Sequence, residues 1–457
     1  MARKRRRRPN WPYRFAWLGL WLALFGYVGL QTALLASTYG QRAYGTDWGL
    51  SFVASLFDAT VAVFFFVVGA CIGSFLNVVA YRLPLGRFIG GHSACPYCQT
   101  PIDGPDNVPF LAWIKLRGRC RTCHLPISIQ YPLVELAVAI LFAVVYASEF
   151  ARGGANLPGM NDITGFGGVV RITIDATLVL RVAVYLFLLS GLVAAALIAV
   201  KRRRVPLHLY LWSAAPLVIA GLALPQTIVL PWRQISPLGP LEARLDVVVT
   251  LICGAAVGIA VARLLAPLAY RGFDRSLIAS DPASTQARQF IGAMALAGCC
   301  VGWQSCVPLA WCIVLTGLIC TCLLQGLFGR GTVQPARDPA PIPEETTLEE
   351  TLPEETLPAE TDPEETALEE ALDPAAAAEL PQPASSPPPQ AASRLAPVNL
   401  TDLTVWVWLG LLLFRANWNW LLNLHILPEQ IPEIMRHVLG GLLLAPVVWY
   451  FARRNPR

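Results

Sequence analysis

The sequence predicts an all-α polytopic membrane protein of about ten transmembrane helices, broken by one cytoplasmic cysteine loop and one acidic, proline-rich linker. Composition is the first reason. Only 14% of the 457 residues are charged and 55% are hydrophobic, against roughly 25% charged in soluble domains. Too little polar surface remains to cover several soluble domains, which excludes a soluble enzyme. The second reason is that apolar runs long enough to cross a bilayer recur along the chain. The third is the placement of the basic residues, which alternates with those runs.

Met1 to Arg8 reads MARKRRRR and precedes an apolar run from about Ala16 to Ala36. A cleaved signal peptide has this order too, but the run is long for a signal core. Leu34 before Ala36 also makes a poor small-x-small cleavage site, so an uncleaved signal anchor is expected. Further spans are expected at Ser51–Leu83, Pro132–Phe150, Ile174–Val200, Leu207–Leu224, Leu245–Leu268, Phe290–Val307, Leu309–Phe328, Leu403–Leu424 and Ile434–Phe451. With the N-terminus inside, inside segments hold 25 of the 35 basic residues and outside segments five; Arg82, Arg181, Arg263, Arg415 and Arg436 fall within spans. This bias places both termini and the cysteine loop in the cytoplasm. The implied organisation is 1–50 (basic end, anchor, outer loop), 51–150 (a membrane unit with a loop at 84–131), 151–328 (a second membrane core), 329–398 (linker) and 399–457 (a membrane hairpin).

Fifteen of the 30 acidic residues lie between Asp338 and Glu379, and Gly329–Val398 holds 14 of the 37 prolines and no aromatic residue. Such a segment buries too little apolar surface to offset its chain entropy and is expected to be disordered. It reads as a solvated tether or, alternatively, as an acidic lure for a basic partner. Without those 15 acids the chain carries 35 basic against 15 acidic residues. In so apolar a chain that excess points to membrane lipid and orientation rather than to nucleic acid.

Cys95-Pro-Tyr-Cys98 and Cys120-Arg-Thr-Cys123 are two C-x-x-C knuckles 21 residues apart. Two such knuckles complete a tetrahedral thiolate site, and in a reducing compartment structural zinc is expected ahead of a disulfide or redox pair. Four sulfur ligands leave no open position, so His124, directly after Cys123, is not needed as a ligand. Cys299, Cys300, Cys306, Cys312, Cys320 and Cys322 crowd two adjacent spans, where helix packing is expected ahead of metal or redox work.

Around the knuckles run Gly69-Ala-Cys-Ile-Gly-Ser-Phe-Leu-Asn-Val-Val-Ala-Tyr-Arg-Leu-Pro84, then Asp106-Asn-Val-Pro-Phe-Leu-Ala-Trp-Ile-Lys-Leu-Arg-Gly-Arg119, then Pro126-Ile-Ser-Ile-Gln-Tyr-Pro-Leu-Val-Glu135. From about Gly69 to Tyr146 the chain resembles the N-terminal half of type IV prepilin leader peptidases, the bacterial bifunctional peptidase/N-methyltransferases. Gly73, Ser74, Asn77, Arg82, Pro84 and Glu135 are the motif residues this resemblance singles out. Gly69 and Gly73 permit close helix approach. Glu135, just inside a helix start, is equally readable as structural or functional.

The resemblance implies a membrane aspartyl protease that removes basic leaders from pilin-like precursors at the cytoplasmic face and methylates the new N-terminus from S-adenosylmethionine. That peptidase chemistry needs two neighbouring aspartates, one ionised and one protonated. In Leu197-Ile-Ala-Val-Lys-Arg-Arg-Arg-Val-Pro-Leu207, Ala199 stands where the first aspartate is expected. Counting back from Gly302-Trp303 puts Phe290 at the second, and no Gly-x-Gly-Asp occurs in the chain. Asp58, Asp175 and Asp246 fall toward the outer face. Asp274 and Asp281 are weak substitutes in a polar loop that nothing obvious desolvates. No phosphate loop, His-Glu-x-x-His or Gly-x-Ser-x-Gly offers another chemistry.

The expectation is therefore a leader-peptidase-like inner-membrane protein whose dyad is lost and which binds pilin-like or other transmembrane helices. Lys201–Arg204 would repel a basic leader, and the acidic tether could offset that. The rival is an enzyme that retains peptidase activity or methyl transfer from S-adenosylmethionine. A transporter-like reuse of the scaffold is disfavoured, because the spans show no inverted repeat. Oligomeric state is not readable from one sequence.

Overall fold

The computed structural model describes residues 11–36, 48–158 (92 and 96 apart), 176–230, 239–270, 282–328, 402–418, 421 and 443–448. The expected disordered linker, the basic N-terminus, Asp175, Asp274, Asp281 and most of the last expected span lie outside the described residues.

The described chain is helical, and its extended pairing is limited to two isolated bridges in the cysteine loop. In order, the helices are α1 (Trp11–Ala36), α2 (Trp48–Arg82), α3 (Leu111–Leu116), α4 (Gln130–Val145), α5 (Ala176–Val200), α6 (Leu207–Ala223), α7 (Pro240–Ala269), α8 (Pro282–Val301), α9 (Cys306–Phe328) and α10 (Val407–Ala416). Among the described residues, five segments are long and apolar enough to cross a membrane: Ser51–Leu85, Gln130–Phe150, Ala176–Val200, Pro240–Ala269 and Trp303–Leu323. Trp17–Leu30, Leu207–Ala223 and Leu403–Ala416 are apolar but shorter.

The expected span Phe290–Val307 takes a different form. α8 begins eight residues earlier, in the polar turns of Pro-Ala-Ser-Thr-Gln-Ala-Arg-Gln, and ends before Gly302, whose φ of 76° turns the chain. Of the expected span Ile434–Phe451, residues 443–448 are described and are helical.

Close packing depends on small residues, because lipid tails give no hydrophobic drive between helices. α2 packs along α4. A Cβ on Gly73 would lie 2.7 Å from Glu135 Cα, and one on Gly69 would lie 2.8 Å from the Val138 carbonyl oxygen. α7 and α8 pair in the same way. Gly254 and Gly258, one helical turn apart, face the carbonyls of Gly298 and Met294 at 2.3 and 2.4 Å from a hypothetical Cβ. α5 is the most enclosed span, with Leu188, Leu189, Ala195 and Ile198 fully buried. It contacts α2, α6, α8 and α10. Large apolar side chains on the outer helices, among them Phe64, Trp212 and Leu264, are exposed.

Following the chain, α4 leaves the cysteine loop and α5 returns toward the loop's end of the bundle. That end therefore gathers the close of α2, the start of α4, the close of α5 and the start of α8.

Candidate metal centre and the junction beside it

Each knuckle is a tight turn closed by one β-bridge: Ala94 with Pro101, and Arg119 with Pro126. Cys95 N–H donates to the Thr100 carbonyl at 3.0 Å, and Cys120 N–H donates to the Leu125 carbonyl at 3.0 Å. The residue after each second cysteine adopts a left-handed conformation, Gln99 at φ 53° and His124 at φ 60°. His124 thus has a backbone role that Gln99 repeats in the other knuckle.

The four sulfurs of Cys95, Cys98, Cys120 and Cys123 lie within 4.8 Å of one another, with Cys95–Cys123 at 3.8 Å and Cys98–Cys120 at 4.0 Å. Four sulfurs at about 2.3 Å from a tetrahedral zinc would be separated by roughly 3.8 Å, so the donor set fits a metal ion and is consistent with zinc. The thiols differ electrostatically. Hydrogen bonds from Thr100 bring Cys98 down to about 6, and the backbone amide of Cys123 lowers Cys120. The Leu125 backbone pulls Cys123 down, but burial and the three neighbouring sulfurs outweigh it and hold it at about 11. Four thiolates this close need a cation between them.

The loop is fastened to the membrane unit by the motif residues. Glu135 Oε2 accepts from Phe110 N–H at 2.6 Å, and the Ser74 hydroxyl also reaches this carboxylate. Phe110 has φ 44° and opens α3, so the carboxylate stabilises a strained helix start. Asn77 Nδ2 donates to the Tyr131 carbonyl at 3.3 Å. Pro84 sits in a 3-10 turn at the end of α2, and Arg82 Nη1 donates to the Gly90 carbonyl at 2.7 Å. Inside the loop, Asp106 accepts from Lys115 at 3.2 Å and from both Nε and Nη2 of Arg121. These cations, Arg121 ahead of Lys115, keep Asp106 below the usual carboxylate range.

The residues expected at the two aspartate positions sit at the same end of the bundle. Ala199 and Phe290 are each 1% exposed. Gln289 Nε2 donates to the Arg203 carbonyl at 2.7 Å, and Tyr210 O–H donates to the Gln289 carbonyl at 3.0 Å, so the end of α5 and the start of α8 meet. Lys201, at the close of α5, is pushed down by burial and by the charge of Arg203.

A carboxylate that the sequence reading did not single out lies beside this junction. Asp402 is fully buried; its Oδ1 accepts from Tyr270 O–H and from Thr404 N–H, each at 2.9 Å. The Tyr270 ring in turn stands edge-on to Phe290, with centroids 6.3 Å apart. A single acid just ahead of a short apolar run looks like a helix cap, and only the fold brings it to Tyr270.

The far end of the bundle holds a second set of buried charges. A π turn at Tyr146–Phe150 extends α4. Tyr146 and Tyr27 both donate to the Asp58 carboxylate, which ties α1, α2 and α4 together. Glu149 is bound by Arg415, with Nε to Oε1 at 2.5 Å and Nη2 to Oε2 at 3.1 Å. The Arg415 guanidinium lies 4.0 Å over the Tyr185 ring, and Nη1 donates to Cys300 Sγ at 3.2 Å. Arg181, on the same side, donates to the carbonyls of Gln226 and Thr227. A glutamate at one span's end and an arginine inside another were the available signal, since buried membrane charges pair.

Residues 67–149 match the bacterial peptidase A24 N-terminal domain. A prepilin leader peptidase/N-methyltransferase from Myxococcus xanthus (strain DK1622) is 49% identical over 87 residues, 19% of this chain and 26% of that protein. One of the same name from Aeromonas hydrophila is 38% identical over 120 residues, 21% of this chain and 41% of that protein. The type 4 prepilin-like proteins leader peptide-processing enzyme of Escherichia coli O78:H11 (strain H10407 / ETEC) is 41% identical over 105 residues, 19% and 39%. The chain thus spans about a quarter to two-fifths of the length of these curated relatives. No solved structure matches it.

Proposed function

We propose that this membrane chain, whose residues 67–149 match the bacterial peptidase A24 N-terminal domain and resemble prepilin leader peptidases, binds pilin-like or other transmembrane helices at the cytoplasmic face without cutting them. It does so as an inner-membrane protein with its termini and zinc-bearing loop in the cytoplasm, the orientation that the basic residues favour.

The observation that carries this reading is the filling of the junction between α5 and α8 by Ala199 and Phe290, both buried and apolar. Leader cleavage by two carboxyls needs one to take a proton from water while the other gives one to the departing amine. The described partners of Asp58, Glu135, Glu149 and Asp402 are phenols, hydroxyls, backbone amides and an arginine, not a second carboxyl. Among the described residues, Asp402 is the carboxylate beside the junction and supplies half of the required pair. The zinc ion would hold the loop's fold, and Cys95, Cys98, Cys120 and Cys123 would be its ligands. The family motif residues act as anchors for that loop, with Glu135 as the central one.

The rival reading, that peptidase activity or methyl transfer from S-adenosylmethionine survives, draws on the identity to relatives that bear both activities in their names. It needs Asp274, Asp281 or Asp402 to take over from Ala199 and Phe290.

Co-purification of a tagged pilin-like precursor from membranes tests the binding role. The precursor should be retained at its full mass, and its absence from the purified complex would refute the proposal.

A further inference from the structure

α10 is fixed in the bundle from both of its ends. At the cysteine-loop end Asp402 takes the hydroxyl of Tyr270. About 20 Å along, at the helical rise, Arg415 meets Glu149, Tyr185 and Cys300. Asn156 Nδ2 donates to the Arg415 carbonyl at 2.8 Å, and Tyr185 O–H donates to the Leu411 carbonyl at 3.3 Å. Between these polar ends the fit is close. A Cβ on Gly410 would lie 2.5 Å from Ile313 Cγ1, and Trp406 fills the notch left by Gly317. Leu411 and Phe414 are fully buried.

The connection does little to specify this position. Neighbouring helices in a bundle are joined by some two to eight residues, whereas 73 residues, 15 of them acidic, separate Phe328 from Asp402. The seat of α10 is therefore specified by the groove it occupies. The groove's most selective element is Glu149, 1% exposed and bound through both oxygens by one guanidinium. A helix without that cation would leave a carboxylate uncompensated in a low-dielectric site. Two parallel N–H donors and stacking on Tyr185 select arginine over lysine.

We propose that the groove lined by the π turn, α5, α8 and α9 is a receptor for one transmembrane helix and that α10 is its tethered resident. The partner it fits is a helix from another chain with the same chemistry: a small residue against Ile313 and an arginine five positions on, aimed at Glu149. This rests on the helix-binding reading above and names its ligand class. Because α10 and the groove belong to one chain, the resident competes as an intramolecular ligand, and a foreign helix enters only when it outcompetes α10.

The test uses the full chain with a protease site inserted in the linker, purified in detergent and then cut. A biotinylated peptide of residues 399–424 is added. Cut protein should capture the peptide and release its own C-terminal fragment, and uncut protein should capture at least tenfold less. An Arg415→Glu peptide should not bind native protein but should bind a Glu149→Arg variant. If that variant does not fold, Glu149→Gln should instead bind native and Arg415→Gln peptides equally. A cut protein that never exchanges its fragment would make α10 a permanent member of the bundle and overturn the proposal, as would equal capture of native and charge-reversed peptides. No pilin-like precursor enters these arms, so failure here is distinct from failure of the binding role.

Discussion

Residues 67–149 and the membrane core after residue 176 are assembled by the same device, glycines that bring one helix backbone against another, yet their polar side chains do different work. In the first stretch Ser74, Asn77, Arg82 and Glu135 converge on the cysteine loop and hold it to the membrane. In the second, the junction where α5 meets α8 is filled by Ala199 and Phe290. Two of its buried charges join the C-terminal helix to the bundle, Asp402 through Tyr270 and Arg415 through Glu149 at the close of the first stretch. On the proposed reading, the difference separates scaffold from chemistry: the anchor of the cysteine loop and the helix bundle are held by contacts that include no pair of carboxyls among the described residues.

Removing the metal should have the largest effect on this contrast. Cys95→Ser is expected to abolish zinc binding, read as about one zinc per chain falling to none by elemental analysis. Structural zinc contributes on the order of 10 kcal/mol to small domains, so the loop should become protease-sensitive while the bundle stays folded. Collapse of the whole protein would mean that the two regions are not separable. Arg415→Ala comes next. It strands Glu149 in the interior, and loss of one partner of a buried pair costs roughly 3–5 kcal/mol. Thermal unfolding in detergent should shift accordingly, and Glu149→Gln in the same chain should recover part of the loss.

Gly73→Ala should cost about 1–3 kcal/mol, because the added methyl must displace the α4 backbone at Glu135. The damage should appear as increased hydrogen exchange at Phe110 and through α3. The smallest effect is expected at His124. His124→Ala should leave zinc stoichiometry unchanged, since the residue sets a turn, and lost zinc would make it a ligand.

Much of this was legible before any coordinates. Apolar runs and low charge announced a membrane protein, and the two C-x-x-C knuckles announced their own meeting point, because each closes on itself within a few residues. Glu135 was ambiguous in sequence. Its role became definite only when Phe110, 25 residues earlier, proved to be its partner. The Asp402–Tyr270 and Arg415–Glu149 contacts cross 132 and 266 residues of chain, and no local pattern carries such a distance. The start of α8 was misread because its first turns are polar, which hydropathy discounts and a helix capped outside the apolar layer does not.

The central claim is that no leader is removed at the Ala199–Phe290 junction. Its most direct test is intact-mass analysis of a pilin-like precursor incubated with the purified full-length protein and S-adenosylmethionine, beside an Ala199→Asp/Phe290→Asp variant. The native protein should leave the precursor mass unchanged, with neither leader loss nor an added methyl group. Loss of the leader mass with the native protein would contradict the claim and direct attention to Asp402, Asp274 and Asp281 as the carboxyls that cut.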